Sequence, residues 1–131
     1  MRKITISKRM TFEAAHYLPN HPGACSRLHG HRWELEVEIS IANETDLIES
    51  DLKDGMVIDY SDLKERMEKF IISKYDHQYL NELNEPFSDN PTSERIALHI
   101  FNEFRCMLPF PVRLESITLK ETENSKCKVM A

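Results

Sequence analysis

Alternating apolar and polar residues predict strands along much of this chain, because side chains in a strand point to opposite faces in turn. Within residues 4–16 the even positions are mostly apolar, and the alternation is clearest in the next segment, at Trp33, Leu35, Val37, Ile39 and Ile41. Residues 112–121 and 127–130 predict two more strands, with a turn around Asn124 and Ser125. A short apolar run at residues 56–58 predicts an extra strand.

Two segments have helical periodicity instead. The first is predicted to begin at an N-cap on Ser61 and to end near Tyr75, with Leu63, Met67, Phe70 and Ile71 on its apolar face. The second is predicted to begin at Thr92 and to end before Pro109, with Ile96, Ile100, Phe104 and Met107 on its apolar face.

This order of elements predicts an α+β fold, with an antiparallel sheet covered on one face by two helices. We expect a single domain over residues 1–131, in which the polar residues 43–54 form a connection. The uncovered sheet face and the open sheet edges need partners, so the sequence favours a homo-oligomer.

Composition and charge narrow the functional classes. The net charge of −5 disfavours nucleic-acid binding, and no run reaches the ~18 apolar residues of a membrane span. We therefore expect a cytoplasmic protein without a membrane partner. Its three cysteines, an odd number at wide spacings, are expected to be reduced thiols.

Three histidines carry the strongest chemical signal. His29 and His31 share a strand face, and His16 lies on the inward face of the preceding strand. Any one of them could be a buried histidine satisfied by a hydrogen bond, but three converging imidazoles suit zinc (Zn2+) with an open, catalytic position. Cys25, four residues before His29, is a candidate fourth ligand, base or nucleophile, and the spacing does not choose among them.

Other polar positions have two interpretations each. Asp76 and His77 could end the first helix or could activate a thiol. Residues 90–94 form an N-cap whose free backbone N–H groups could also hold a polar ring. Glu121 is a surface carboxylate unless it is buried, in which case it suits a guanidine-like partner.

Several short motifs together resemble the 6-pyruvoyltetrahydropterin synthase and 6-carboxytetrahydropterin synthase family. They follow the family's order over nearly the whole chain and fall at residues 12–16, 25–31, 55–60, 76–77, 90–94 and 120–122. The resemblance implies the tunnelling fold, in which four-stranded sheets of several subunits close into a barrel with the helices outside. It also implies trimers stacked into hexamers, with active sites shared between subunits.

The resemblance further implies roles for individual residues. His16, His29 and His31 would bind zinc, and Cys25, Asp76 and His77 would form a proton-transfer triad with the last two from a neighbouring subunit. Glu121 would anchor the aminopyrimidine edge of a pterin, helped by Thr92, Ser93 and Glu94. Arg27 is our candidate for the substrate's triphosphate, because it lies between Cys25 and His29.

The spacing within one motif favours a branch of the family. Three residues separate Cys25 from His29, as in the carboxy branch of queuosine and deazapurine biosynthesis, whereas the pyruvoyl branch has a longer interval. We therefore expect a zinc lyase that converts 7,8-dihydroneopterin triphosphate to 6-carboxy-5,6,7,8-tetrahydropterin, acetaldehyde and triphosphate. The alternatives are a 6-pyruvoyltetrahydropterin synthase and a non-catalytic zinc- or pterin-binding module. Tyr75 stands where the family usually has Leu, so packing there is expected to differ.

Overall fold

The computed structural model describes residues 3–41 and 55–131, so the predicted connection at 43–54 lies outside the described residues. Within these two ranges the sheet has five strands, in the order β3-β1-β2-β4-β5. The strands are β1 (Ile6–His16), β2 (His29–Ile41), β3 (Gln78–Tyr79), β4 (Val112–Thr122) and β5 (Ser125–Met130). All neighbours pair antiparallel except β3, which pairs parallel to β1.

The predicted alternation accounts for the two faces of this sheet. Phe12 lies opposite Trp33 and Leu35 opposite Leu119, and all four side chains are buried. On the opposite face, Thr11, Glu13 and Arg32 are exposed. A period of two therefore sends one set of side chains into the core and the other set outward.

Two helical segments cover the apolar face. The first consists of α1 (Tyr60–Met67), a π-helical turn (Glu68–Ile72) and α2 (Ser73–Tyr75), and the second is α3 (Ser93–Phe104). Their apolar residues join those of the sheet in one core cluster, which includes Leu63, Met67, Ile71, Ile96, Ile100 and Phe104. The α+β class and the two-layer packing are thus confirmed.

Tyr75, at the end of the first helical segment, is only 2% exposed. Its ring lies 5.8 Å from that of Phe12 and 5.9 Å from that of Phe87. The aromatic residue at this position therefore fills the core beneath β1.

The structure corrects three predictions about the elements. In the described residues the sheet has five strands rather than four, since Gln78–Tyr79 adds a short parallel strand at the edge of β1. Residues 56–58 do not form a strand: Val57 and Ile58 are buried core residues in a bend. Asp59, not Ser61, is the N-cap of α1, and its carboxylate accepts a hydrogen bond from Ser61 N at 2.8 Å. In each case a local pattern was outweighed by packing or by a neighbouring cap.

Among residues 3–41 and 55–131, no helix has both the length and the apolarity required to cross a bilayer.

Candidate metal centre

The end of β1 and the start of β2 bring the three predicted histidines together. Antiparallel pairing places His16 opposite His29 and Ala14 opposite His31. The His16 ring centroid lies 4.6 Å from that of His29 and 5.3 Å from that of His31, and the last two are 4.8 Å apart. The predicted convergence of the histidines is therefore present in the fold.

Backbone carbonyls orient two of these rings. His16 Nδ1 donates to Pro91 O at 2.8 Å, and His29 Nδ1 donates to Arg27 O at 2.7 Å. A carbonyl oxygen only accepts, so Nδ1 carries the proton and Nε2 of each neutral imidazole keeps its lone pair. Histidines that bind metals usually have this arrangement, in which a carbonyl accepts the proton of one ring nitrogen and leaves the other nitrogen to the metal.

The Nε2 atoms of all three rings are buried and have no hydrogen-bond partner of acceptable geometry. Buried polar atoms are rarely left unpaired, so three such atoms close together fit a metal-binding site. His16, His29, His31 and Glu121 each offer a ligand atom within 4.8 Å of the others, and this group could hold a metal ion.

Glu121 reaches the histidines from β4. Its Oε1 lies 3.1 Å from His16 Nε2 and 3.2 Å from His31 Nε2, and its side chain is 26% exposed. The His16 imidazole lowers the pKa of the Glu121 carboxyl, against the opposing effect of burial. The site is therefore a cluster of three imidazoles and a carboxylate, with the carboxylate at the exposed rim.

Trp33 forms the apolar wall behind this cluster. Its indole lies 5.0 Å from the His16 ring and 5.5 Å from the His31 ring, and Nε1 donates to Ala14 O at 3.2 Å. His16 is fully buried against it. Burial also lowers the pKa of His31, which favours the neutral, metal-binding form of this imidazole.

Cys25 lies in the loop between β1 and β2, on a short 3₁₀ helix at Ala24–Ser26. Its carbonyl accepts from Leu18 N at 2.8 Å, and its side chain is partly buried. Within the described part of the chain, the thiol does not belong to the group of possible metal ligands. Arg27 has an exposed side chain, and its backbone carbonyl is the group that orients His29.

Asp76 and His77 lie between α2 and β3, next to the edge of β1 that faces away from β2. Asp76 Oδ1 accepts from Glu13 N at 2.9 Å, and the backbone N–H of His77 donates to Glu13 O at 2.6 Å. His77 Nδ1 contacts Asp76 Oδ2 at 2.9 Å, while the His77 side chain is 78% exposed. The Glu13 N–H is the main cause that lowers the pKa of Asp76. The structure therefore pairs these two residues with each other and presents His77 to the outside.

The segment that includes Thr92, Ser93 and Glu94 forms the start of α3. Thr92 is the N-cap, as predicted, and its hydroxyl accepts from Arg95 N at 3.2 Å. Ser93 Oγ donates to Glu94 Oε1 at 2.8 Å. Pro91, which holds His16, directly precedes this segment, so the N-terminus of α3 is connected to the metal centre through the backbone.

Sequence reasoning missed the groups that hold the site in place. The carbonyls of Pro91 and Arg27 orient imidazoles, and the Asn81 amide both donates to Tyr17 O and accepts from Tyr17 N, at 2.9 Å each. Backbone carbonyls have no side-chain signature. Asn81 lies shortly after the Asp76-His77 motif. An asparagine at that position does not by itself indicate that its partner is Tyr17, which lies 64 positions earlier in the chain.

Comparisons with known proteins identify the family of this chain. Residues 5–131 match the family model described as 6-pyruvoyl tetrahydropterin synthase. The chain is 38% identical over 141 residues to the 6-carboxy-5,6,7,8-tetrahydropterin synthase of Haemophilus influenzae, an alignment that covers 94% of this chain and 96% of that protein. It is 41% identical over 96 residues to the protein of the same name from Synechocystis sp., covering 73% and 70% of the two chains.

A solved structure extends the likeness to the fold. The Caenorhabditis elegans 6-pyruvoyl tetrahydropterin synthase superposes with a TM-score of 0.81 at 25% sequence identity, covering 100% of this chain and 97% of that chain. The family match over residues 5–131, and relatives that align along nearly the whole chain, place this protein in the 6-pyruvoyl tetrahydropterin synthase family.

Proposed function

We propose that this protein is a zinc-dependent lyase that converts 7,8-dihydroneopterin triphosphate and water to 6-carboxy-5,6,7,8-tetrahydropterin, acetaldehyde and triphosphate, in queuosine or deazapurine biosynthesis. One observation carries the proposal: three imidazoles bring their buried, unpaired Nε2 atoms together, in a chain of a pterin synthase family. Three histidines with room for a further ligand are typical of catalytic zinc.

The donor set fits zinc on chemical grounds. His16, His29 and His31 would hold the ion through Nε2, since Nδ1 of His16 and of His29 is already committed to a carbonyl. A bound zinc ion would supply Lewis acidity toward oxygen atoms of the substrate side chain, which makes the neighbouring carbon-bound protons more acidic.

The remaining chemistry is proton transfer by side chains of the protein. We assign Cys25 as the group that moves protons between the substrate side chain and the ring, since it lies in the β1–β2 loop but outside the metal-binding cluster. Positioned acid-base groups typically contribute ~10² to 10⁴-fold to a rate. Asp76 and His77 would poise the thiol, and their contact of 2.9 Å supports action as a pair.

Exposure of the Asp76–His77 pair supports a shared active site. The His77 side chain is 78% exposed at the sheet edge, and the described chain does not bring it into its own histidine cluster. In a homo-oligomer the same pair can complete the site of a neighbouring copy, as the family resemblance implies. A mixture of inactive Cys25→Ala and His77→Ala chains should then regain activity on co-assembly, whereas sites confined to one chain would remain inactive.

We assign substrate recognition to Glu121 and to the residues at the start of α3. Glu121 would accept two parallel hydrogen bonds from N–H groups at the aminopyrimidine edge of the pterin. Thr92, Ser93 and Glu94 would help to hold the same edge. Arg27, exposed in the loop before His29, would contact the triphosphate. Arg27→Ala should raise KM with little change in kcat, and an unchanged KM would dismiss this role.

The decisive experiment is incubation of the zinc-loaded protein with 7,8-dihydroneopterin triphosphate, followed by identification of the products by mass. We expect 6-carboxy-5,6,7,8-tetrahydropterin and acetaldehyde, since two relatives at 38% and 41% identity have that activity in their names. A product that retains all the side-chain carbons would instead identify a pyruvoyl-forming enzyme. Absence of turnover together with unfolding on chelation would indicate a structural zinc module.

A further inference from the structure

We infer that Asn81 is a positioning residue for Cys25, because its side-chain amide fixes the base of the loop that carries the thiol. This inference rests on the proposed function, since it assumes that Cys25 transfers protons. It gives Asn81 no contact with metal or substrate. The amide acts on the thiol through one peptide unit of the backbone.

The loop that joins β1 to β2, residues 17–28, has little packing of its own. Of residues 19–28, only Cys25 is not exposed. The hydrogen bonds inside the loop are short-range, as in the turn where Ser26 N donates to Gly23 O at 3.1 Å. Such bonds shape the loop but do not fix where it lies relative to the sheet. Its position therefore depends on bonds to the rest of the chain.

Within the described part of the chain, the hydrogen bonds that leave this loop for anything beyond β1 and β2 go to one residue, Asn81. Tyr17 N donates to Asn81 Oδ1, and Asn81 Nδ2 donates to Tyr17 O, at 2.9 Å each. An asparagine amide has both a donor and an acceptor, so one side chain pairs both backbone groups. β1 ends one residue earlier, at His16, and the amide therefore holds the first residue of the loop.

The Tyr17 contact reaches Cys25 through a single peptide unit. The carbonyl of Tyr17 and the N–H of Leu18 belong to the same planar amide. Its oxygen accepts from Asn81, and its N–H donates to Cys25 O at 2.8 Å. One rigid plane thus connects the Asn81 amide to the Cys25 backbone, and a displacement at one end is transmitted to the other.

Asn81 itself has a firm base. It lies in a 3₁₀ helix at Leu80–Glu82, directly after β3, which pairs with β1. Leu80 is fully buried, and its carbonyl accepts from Ser88 Oγ at 2.9 Å. The amide is therefore attached to the packed part of the protein, as the support of a catalytic group must be.

Loss of the amide would release the base of the loop while its internal turns persist. The Tyr17 ring would keep its contact with the Tyr79 ring at 6.2 Å, so the loop loosens rather than detaches. Misplacement of a reacting group by ~1 Å can cost ~10²-fold in rate. Zinc binding should be preserved, because His16 is held in the β1–β2 ladder and by Pro91 O.

Two variants at position 81 test the clamp. Asn81→Ala removes both hydrogen bonds. Asn81→Asp is of equal size and keeps an acceptor for Tyr17 N, but its carboxylate cannot donate to Tyr17 O. Asn102→Ala and Asn102→Asp are matched controls at an exposed asparagine of α3. Far-ultraviolet circular dichroism and zinc content establish that each variant is folded and loaded.

Steady-state kinetics separate positioning from a general loss of structure. Both Asn81 variants should lower kcat by ~10- to 10²-fold with little change in KM, whereas the Asn102 variants should match wild type. Added to Cys25→Ala, Asn81→Ala should not lower the residual turnover further, because a group that acts through the thiol has no effect without it.

Alkylation by iodoacetamide reports on the loop without turnover. Peptide masses give separate rates for Cys25 and for Cys106, an exposed thiol that serves as internal reference. Cys25 should react at least ~2-fold faster in both Asn81 variants, about the factor that one ordinary hydrogen bond contributes to keeping the loop closed. Cys106 should react at the wild-type rate.

Wild-type kcat in either Asn81 variant would overturn the inference. An unchanged Cys25 alkylation rate would do the same, and so would an Asn81 effect that persists in the Cys25→Ala background. Failure of the proposed function is distinguishable, because the wild type then gives no product in the mass assay. Alkylation still decides in that case: faster labelling of Cys25 supports the clamp, and an unchanged rate rejects it.

Discussion

Trp33→Phe tests whether the apolar wall of the site matters for metal binding as well as for folding. The indole is fully buried, stacks on Phe12 at 6.0 Å and donates to Ala14 O. Phenylalanine keeps an aromatic ring but cannot donate this hydrogen bond, and it leaves a gap beside His16 and His31. The change should therefore loosen the site without altering any group that could bind metal.

The magnitude follows from two losses. A typical hydrogen bond contributes about 0.5–1.5 kcal/mol to stability. A residual cavity of roughly 40 Å³ would cost about 1 kcal/mol more. We therefore expect the free energy of unfolding to fall by ~2 kcal/mol, out of the ~5–15 kcal/mol typical of a folded domain.

The assay is urea unfolding of the metal-free protein at one protein concentration, together with zinc affinity by chelator competition. Phe104→Leu is the matched control, because Phe104 is a buried core residue on α3 that does not belong to the site. Both variants should lose stability, but only Trp33→Phe should bind zinc more weakly. Equal affinity in the two variants would refute the idea that this wall keeps the imidazoles in position.

Three further predictions concern residues around the site. Cys25→Ala should leave zinc content intact while turnover collapses, and full activity would reject its catalytic role. Asp76→Asn should lower the free energy of unfolding near neutral pH. The pKa of the Asp76 carboxyl is depressed in the folded protein, so its charge stabilises the fold above the ordinary pKa of 3.8, and this stabilisation is lost as the pH falls through the lowered pKa. The difference in unfolding free energy between this variant and wild type should therefore vanish in acid. Urea unfolding at several pH values measures it, with Glu123→Gln as control, and a difference that stays constant with pH would contradict the assignment. Arg95→Ala should weaken zinc binding, because its guanidinium donates to Pro86 O and Asn90 O and so holds the loop that carries Pro91; Arg95→Lys should restore only part of the affinity, and unchanged affinity in Arg95→Ala would exclude this role.

The sequence was sufficient to predict the strands that build the site. Alternation from Trp33 to Ile41 fixed which side of β2 is buried, and the same parity placed His31 on that side. Period-two patterns are reliable here because only one face of this antiparallel sheet is covered. A slip of one residue in register would move the apolar side chains to the exposed face.

The features that escaped prediction depend on contacts between distant parts of the chain. Gln78–Tyr79 is too short to show a period, and it becomes a strand only because β1 offers it a partner. Val57 and Ile58 have strand-forming side chains but serve as core residues in a bend. Glu121 shares the inward parity of the buried Ile117 and Leu119, but its approach to the histidines depends on the pairing of β4 with β2, which a single sequence does not display.

Contact between His16 and Pro91 joins positions 75 apart in sequence, and Glu121 reaches the same imidazole from still farther along the chain. A growing polypeptide therefore cannot assemble this centre until Glu121 has left the ribosome, even though the last of the three histidines, His31, is made 90 residues earlier. Metal capture should accordingly come late in biogenesis. Nascent chains released early would carry the imidazoles without the scaffold that orients them.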